Sequence, residues 1–305
     1  MKIKIGTRGS KLALWQAEYV AETLQKGGLA TEIVIIETTG DKILDRSLSK
    51  IGSKGVFTEE LEEQLRTGEI DIAQHSAKDL QSSLADDLEL IAFTERERVN
   101  DVLVSFDKSL SLDSGKPFVV GTSSTRRVAM LRHYYPHIQV VDMRGNLQTR
   151  LRKLEEGHCD ALLLAYAGVH RMGYDQYVTQ HLNIQRFTPA VGQGSVAIEC
   201  AKTLDATKKS QIRALLNHPQ TEQCIMAERA FLATMQGGCS IPVFGLASLL
   251  DNTINLTVGI ISLDGQQILT ETIEGTHPQA IGQQAANRLL GKGGDEILKE
   301  IRRRL

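Results

Sequence analysis

Lys2-Ile3-Lys4-Ile5-Gly6-Thr7-Arg8-Gly9-Ser10 decides the fold, because the chain writes this arrangement twice. It is an alternating strand that enters a glycine turn and then a helix. That helix carries Ala13, Ala17, Val20 and Leu24 on one face. Pro117-Phe118-Val119-Val120-Gly121-Thr122-Ser123-Ser124-Thr125-Arg126-Arg127 repeats the pattern 115 residues later. Each copy reads as the opening of an α/β unit that offers its strand ends and helix N-termini to a shared cleft. A strand–glycine–helix junction is common, so the echo alone leaves chance resemblance open.

Working outward, short apolar or β-branched runs recur at Ile33–Ile36, Ile70–Ala73, Leu88–Phe93, Val102–Val104, Phe118–Val120, Gln139–Val141 and Ala161–Ala165. Helical patterns lie between them, one of which, Glu59–Thr67, ends at Gly68. This alternation predicts parallel sheets covered by helices. The last third reads differently. Leu246–Leu250, Ile254–Ile261 and Gln267–Ile273 are strand-like, with turn residues at Asp251-Asn252 and Asp264-Gly265. Helices over Pro278–Leu290 and Asp295–Leu305 follow, which predicts a small antiparallel α+β domain. The terminal Arg302-Arg303-Arg304 reads as a solvated helix end.

The 305 residues, 41% of them hydrophobic, are enough for two or three domains. A net charge of −2 argues against whole-protein attraction to nucleic acid or to an anionic membrane. No run approaches the ~18 apolar residues of a membrane helix. Met1 leads straight into a strand with no h-region or cleavage site, so a cytoplasmic chain is expected. The four cysteines, at 159, 200, 224 and 239, form no C-x-x-C pair, and no metal site is expected.

Gly237-Gly238-Cys239-Ser240-Ile241-Pro242 holds one cysteine in a glycine-flanked loop after a helix marked by Cys224, Ala227, Phe231 and Met235. That thiol reads equally as a nucleophile or attachment point and as a buried small hydrophobe. Thr122, Ser123, Ser124 and Thr125 stand at a helix start before Arg126 and Arg127. Arg144-Gly145-Asn146 with Arg150, Arg8 with Ser10, and Lys54 in Gly52-Ser53-Lys54-Gly55 occupy similar junctions. Helix N-termini and guanidinium groups together call for a ligand with several negative groups, phosphates or carboxylates. His75-Ser76-Ala77-Lys78-Asp79 places a carboxylate and a cation at a strand end. A carboxylate there can stabilise positive charge or move a proton, or act only as a cap or surface ion pair. His75 reads as a structural histidine.

In this order, these motifs resemble the hydroxymethylbilane synthase (porphobilinogen deaminase) family along essentially the whole chain. Leu12-Ala13-Leu14-Trp15-Gln16, Gly52–Phe57, Pro189-Ala190-Val191-Gly192-Gln193-Gly194 and Glu228-Arg229-Ala230 complete the set. The resemblance implies two periplasmic-binding-protein-like domains with a central cleft, plus a small α+β C-terminal domain. Expected boundaries are 1–95 with 194–215 for the first, 96–193 for the second and 216–305 for the third. Gly192-Gln193-Gly194 suits a hinge. The implied reaction joins four porphobilinogens head to tail with release of ammonia, then frees hydroxymethylbilane by hydrolysis.

The resemblance also implies a dipyrromethane cofactor attached as a thioether to Cys239, with Asp79 as the catalytic carboxylate. Pyrrole acetates and propionates choose carboxylate over phosphate as the ligand. Cofactor binding would fall to Lys78, Asp79, Thr122, Ser123, Ser124, Arg126, Arg127, Arg144 and Gly145. Substrate binding would fall to Arg8, Ser10, Gln16, Arg150, Arg171 and Gln193, with Lys54 and Phe57 on a mobile loop over the site. A monomer is expected, with porphobilinogen as its small-molecule partner. Gln81 stands where the family usually has proline, Gly9 where glutamine is commoner, and Asn100 where arginine is usual. Gln81 bears on how rigidly Asp79 is held. A non-catalytic solute-binding module of the same fold is the alternative.

Overall fold

The computed structural model describes residues 2–39, 58–238 and 240–304. Lys54, Phe57 and Cys239 lie outside the described residues. In chain order the first elements are β1 (Lys2–Thr7), α1 (Lys11–Lys26), β2 (Ala30–Ile35), α2 (Glu59–Thr67), β3 (Ile72–Ser76) and β4 (Leu88–Phe93). There follow β5 (Asp101–Val104), β6 (Val119–Gly121), α3 (Thr125–Tyr134), β7 (Gln139–Val141), α4 (Leu147–Glu155), β8 (Ala161–Ala165), α5 (Tyr166–Arg171) and β9 (Val178–His181). The chain then forms β10 (Val196–Ala201), α6 (Ala206–Leu216), α7 (Pro219–Thr234), β11 (Val243–Leu250), β12 (Thr253–Ile261), β13 (Ile268–Gly275), α8 (Pro278–Leu289) and α9 (Asp295–Arg304).

Two five-stranded sheets share one topology. The first, lobe 1, runs β2-β1-β3-β10-β4, and the second, lobe 2, runs β7-β6-β8-β5-β9. In each, the first strand of the unit lies parallel between the second and third. In each, one strand from the crossing segment runs antiparallel between the third and fourth. The two periplasmic-binding-protein-like domains implied by the resemblance are therefore present. The sheets are mixed rather than purely parallel, because β5 and β10 enter from the neighbouring lobe and so run the other way. Neither β9 nor β10 was among the sequence-predicted strands. β10 is buried on both faces and offers no alternation to read.

The α1 stripe behaves as its periodicity predicts. Ala17, Val20 and Leu24 are fully buried against Ile3, Ile5 and Ile72. Burying each large aliphatic side chain contributes about 1.5–3 kcal/mol. Ser10 caps this helix, accepting from the Ala13 amide at 3.3 Å. It thereby fixes where the helix begins, at the edge of the sheet where β1 ends.

The C-terminal domain is the antiparallel sheet β11-β12-β13 covered by α7 and α8. It docks on lobe 2 through the β12–β13 turn. Gly265 has φ 75°, and a Cβ there would lie 2.7 Å from the Ala129 carbonyl of α3, so glycine permits the approach. His133 Nδ1 donates to the Gly265 carbonyl at 2.6 Å, and Arg132 donates to the Leu263 carbonyl at 2.6 Å. Phe244 and Ile261 complete the core of lobe 2. The helix before Cys239 does not stop on glycine. Gln236 takes the left-handed conformation, φ 48°. Arg302 is exposed, as its sequence reading has it, and also donates to the Met235 carbonyl at 3.3 Å.

Candidate active site

The C-terminal ends of the parallel strands carry the chemistry, as open α/β sheets dictate. In lobe 1, β1 leads into Arg8, which is half-buried, and β3 leads into a 3-10 turn over Ala77–Asp79. Asp79 is exposed and Lys78 half-buried. In lobe 2, β6 leads through Thr122, Ser123 and Ser124 into α3, while β7 leads through Arg144 and Gly145 into α4.

The turn bearing Asp79 is held from three sides. The Ala77 amide donates to the Ser195 carbonyl at 3.0 Å. Gly192, φ 76°, lies so close that a Cβ would meet the Ala77 carbonyl carbon at 2.9 Å. Arg229, buried on α7, donates to the Gln81 carbonyl at 3.0 Å. Gln81 therefore does not leave the turn slack, because its backbone is pinned where proline is the family habit. His75, on β3 just before this turn, is buried and bonds to Glu199 at 2.9 Å, a structural pairing as its sequence reading has it.

Lys78 of lobe 1 and Arg150 of lobe 2 both interact with Asp79, and each also feels Arg127. Burial pushes the Lys78 ammonium down to about 8, with Asp79 and Asp101 opposing the shift and Arg127 and Arg126 adding to it. Burial likewise lowers Arg150 to about 10, Arg127 and Arg144 adding to it and Asp79 and Asp142 opposing it. Lys78, Asp79, Arg126, Arg127, Arg144 and Arg150 therefore share one electrostatic site. Gln193 joins it, its Oε1 accepting from Lys78 Nζ at 3.5 Å.

Arg126 and Arg127 are not open guanidinium groups. Both are buried on Asp101, at 2.7 and 2.8 Å, and they donate further to the carbonyls of Thr188 and Leu163. Although burial works against ionisation, Arg126 and Arg127 hold the Asp101 carboxyl well below the usual carboxylate range. Arg127 Nε is buried with no partner. Arg150 donates from Nε to the Gly145 carbonyl at 2.8 Å. Arg144 bonds to Asp142 at 2.9 Å. Ser123 donates to the Met143 carbonyl at 3.1 Å, Ser124 caps α3, and buried Thr122 accepts from the Ser124 amide at 3.3 Å.

The other residues expected in the substrate set lie elsewhere or are engaged. Gln16 is buried and donates to Ser76 at 2.9 Å inside lobe 1. Ser10 is the α1 cap. Arg171 bridges the lobes, donating to the Gly194 carbonyl at 2.6 Å with its guanidinium 5.4 Å from the Trp15 ring centre.

The roles of two residues were not read from the sequence, although one of them, Glu228, stood in a quoted motif. Asp101 opens a strand that is otherwise apolar, and that lone charge was the signal. Glu228 lies on the same buried helix stripe as Cys224, Ala227 and Phe231, where a carboxylate needs a partner. Its partner is Arg96, which also donates to the Gln193 carbonyl at 2.8 Å.

Residues 3–209 match the family model described as porphobilinogen deaminase, dipyromethane cofactor binding domain. The chain belongs to the porphobilinogen deaminase family. Residues 222–291 match the porphobilinogen deaminase C-terminal domain. Porphobilinogen deaminase of Cytophaga hutchinsonii is 60% identical over 99% of this chain and 98% of its own length. That of Desulfosudis oleivorans is 51% identical over 99% of each. Among solved structures, the methionine binding protein MetQ aligns with 70% of this chain and 89% of its own, at 15% identity and a TM-score of 0.44. The deaminase family thus accounts for nearly the whole chain, including both lobes and the C-terminal domain.

Proposed function

We propose that this chain is a hydroxymethylbilane synthase, a transferase that joins four porphobilinogens and releases the linear product by hydrolysis. The observation that carries the reading is the exposed Asp79 carboxylate on a pinned turn of lobe 1, beside Lys78 and within the field of Arg150 from lobe 2. At each addition a C–N bond of porphobilinogen breaks with loss of ammonia, and a C–C bond forms to the growing chain. The attacked ring carbon gives up a proton. In the last step the C–C bond to the dipyrromethane cofactor breaks, a proton goes to the cofactor's ring carbon, and water makes the C–O bond at the freed methylene carbon.

A dipyrromethane fits the donor set. The cluster offers several cations against few internal carboxylates, and Arg127 Nε is a buried donor without a partner. Lys78, Arg127, Arg144 and Arg150 would hold its acetates and propionates, and Arg126 would keep Arg127 and Asp101 in register. When bound, it supplies the pyrrole carbon to which the first unit is joined. Cys239 is its attachment point in this reading. The described thiols support that choice: Cys159, Cys200 and Cys224 are all buried, and burial pushes Cys200 up to about 12 and Cys224 up to about 11.

Asp79 has the chemistry the reaction demands. Loss of ammonia leaves an electron-poor pyrrole cation, and a fixed carboxylate stabilises it and can take up the proton lost after attack. Arg8, at the same sheet edge, extends the carboxylate-binding rim, as does Arg171 near the crossing segments, while the buried Gln193 acts from behind it through Lys78. Lys54 and Phe57 complete the substrate set as residues of a covering loop. The enzyme is read as a cytoplasmic monomer. Its large exposed apolar side chains, such as Tyr19, Phe106 and Leu250, are far apart in sequence and element, and among the described residues no helix is long and apolar enough to cross a membrane.

Two measurements test the proposal together. Purified protein should release ammonia from porphobilinogen, and its intact mass should exceed the bare chain by one two-pyrrole adduct that Cys239→Ala abolishes. An adduct on another cysteine would overturn the attachment. Porphobilinogen bound but left unchanged would point instead to a solute-binding module.

A further inference from the structure

Asp101 never meets solvent, so it cannot touch substrate. Yet its two oxygens take three donors: Arg126 Nη2 at 2.7 Å on Oδ2, and Arg127 Nη2 at 2.8 Å and Gln193 Nε2 at 3.0 Å on Oδ1. Gln193 is also fully buried, and its Nε2 donates a second time, to the Val99 carbonyl at 2.7 Å. Two acceptors on that side fix the amide orientation. Its Oε1 is therefore turned toward Lys78 Nζ, at 3.5 Å. A continuous path runs from α3 of lobe 2, through the crossing segment, to the residue beside Asp79 in lobe 1.

We propose that Asp101 is the positioning residue of the cleft, holding the two guanidinium groups of α3 and, through the Gln193 amide, the ammonium of Lys78. The inference rests on the reading that Arg127 and Lys78 receive carboxylates of cofactor and substrate, with Arg126 holding Arg127 and Asp101 in register. One internal carboxylate among three cations is enough to fix them and too little to neutralise them. The site stays rigid and keeps an excess of positive charge for the ligand. The groups that face Lys78 are Asp79 on its own turn, Arg126 and Arg127 on α3, and Asp101 on β5, with Arg150 of α4 facing Asp79 and Arg127. Of these, the carboxylates favour the charged ammonium and the guanidinium groups oppose it.

The sign of the effect follows. Removing the Asp101 charge, or the Gln193 acceptor, makes Lys78 easier to deprotonate. The test uses holoenzyme, with the adduct mass checked for each variant. Competitive acylation across a pH series, read by mass spectrometry, gives the titration midpoint of Lys78. Asp101→Asn and Gln193→Leu should each lower that midpoint by at least about half a pH unit. The KM for porphobilinogen should rise at least about tenfold, and its alkaline limb should move with the midpoint. Gln193→Leu leaves the arginine pairs intact, so it carries the test if Asp101→Asn does not fold. An unmoved midpoint in folded Gln193→Leu overturns the proposal. A wild-type protein that does not consume porphobilinogen defeats the functional reading instead, and leaves the labelling result untouched.

Discussion

Glu228 receives the guanidinium of Arg96 on both of its carboxylate oxygens, at 2.6 and 3.1 Å, with no solvent access to the carboxylate. The same oxygens accept the Gly192 amide and the Ala247 amide, each at 2.8 Å. One side chain of α7 thus joins both crossing segments to the first strand of the C-terminal domain. Glu228→Ala strands the Arg96 charge and two backbone donors. The expected cost is about 3–5 kcal/mol in urea unfolding. A loss below about 1 kcal/mol would show that the junction is held by its apolar packing alone.

Asp79 is exposed, so its charge can be removed without disturbing a core. Asp79→Asn should unfold like the wild type and lose at least ~10²-fold in turnover. Single-turnover ammonia release, with the adduct present, is the measurement. A rate near wild type would remove Asp79 from the chemistry.

The arginines divide by burial. Arg126→Leu leaves Asp101 buried with one partner fewer, so it should lower stability by about 3–5 kcal/mol as well as impair assembly. Arg144 is partly exposed and bonded to an exposed Asp142. Arg144→Leu should change stability by less than about 1 kcal/mol while slowing elongation. Thermal unfolding of the two variants side by side separates these cases. Equal losses in both would contradict the geometry.

Lys78 gives two pH dependences of opposite sign. Its ammonium is held down to about 8, so carboxylate binding should weaken as pH rises through that value, seen as a rising KM. An ordinary lysine titrates near 10.4, so between about 8 and 10.4 the unfolded chain binds more protons than the folded one. Across that window the Lys78 contribution to stability should rise with pH. Lys78→Met should abolish both trends, and their persistence would assign them to another group.

Local patterns made much of this legible. The repeated strand–glycine–helix junction foretold two α/β units, and the α1 stripe foretold its buried face, because both are written over a dozen neighbouring residues. Lys78-Asp79 and Arg144 with Arg150 stood out by their place after strands, but position alone left Asp79 equally a cap or a surface ion pair, and its proposed role came from the family resemblance. What escaped was decided by residues far apart in sequence. Nothing near Arg126 and Arg127 announces that Asp101 will bury them, and nothing near Glu228 names Arg96. The antiparallel direction of β5 and β10 follows from the route between lobes, which no local window contains.

The shared topology of the two sheets also orders events during synthesis. All five strands of lobe 2 lie between Asp101 and His181, so this lobe can finish its sheet as soon as that stretch is free of the ribosome. Lobe 1 begins first and finishes later. Its β3 and β4 have no strand between them until Val196–Ala201 arrives, after the whole of lobe 2 has been made. During that interval the nascent lobe 1 carries two unpaired strand edges, which makes it the half of the molecule that most needs a chaperone.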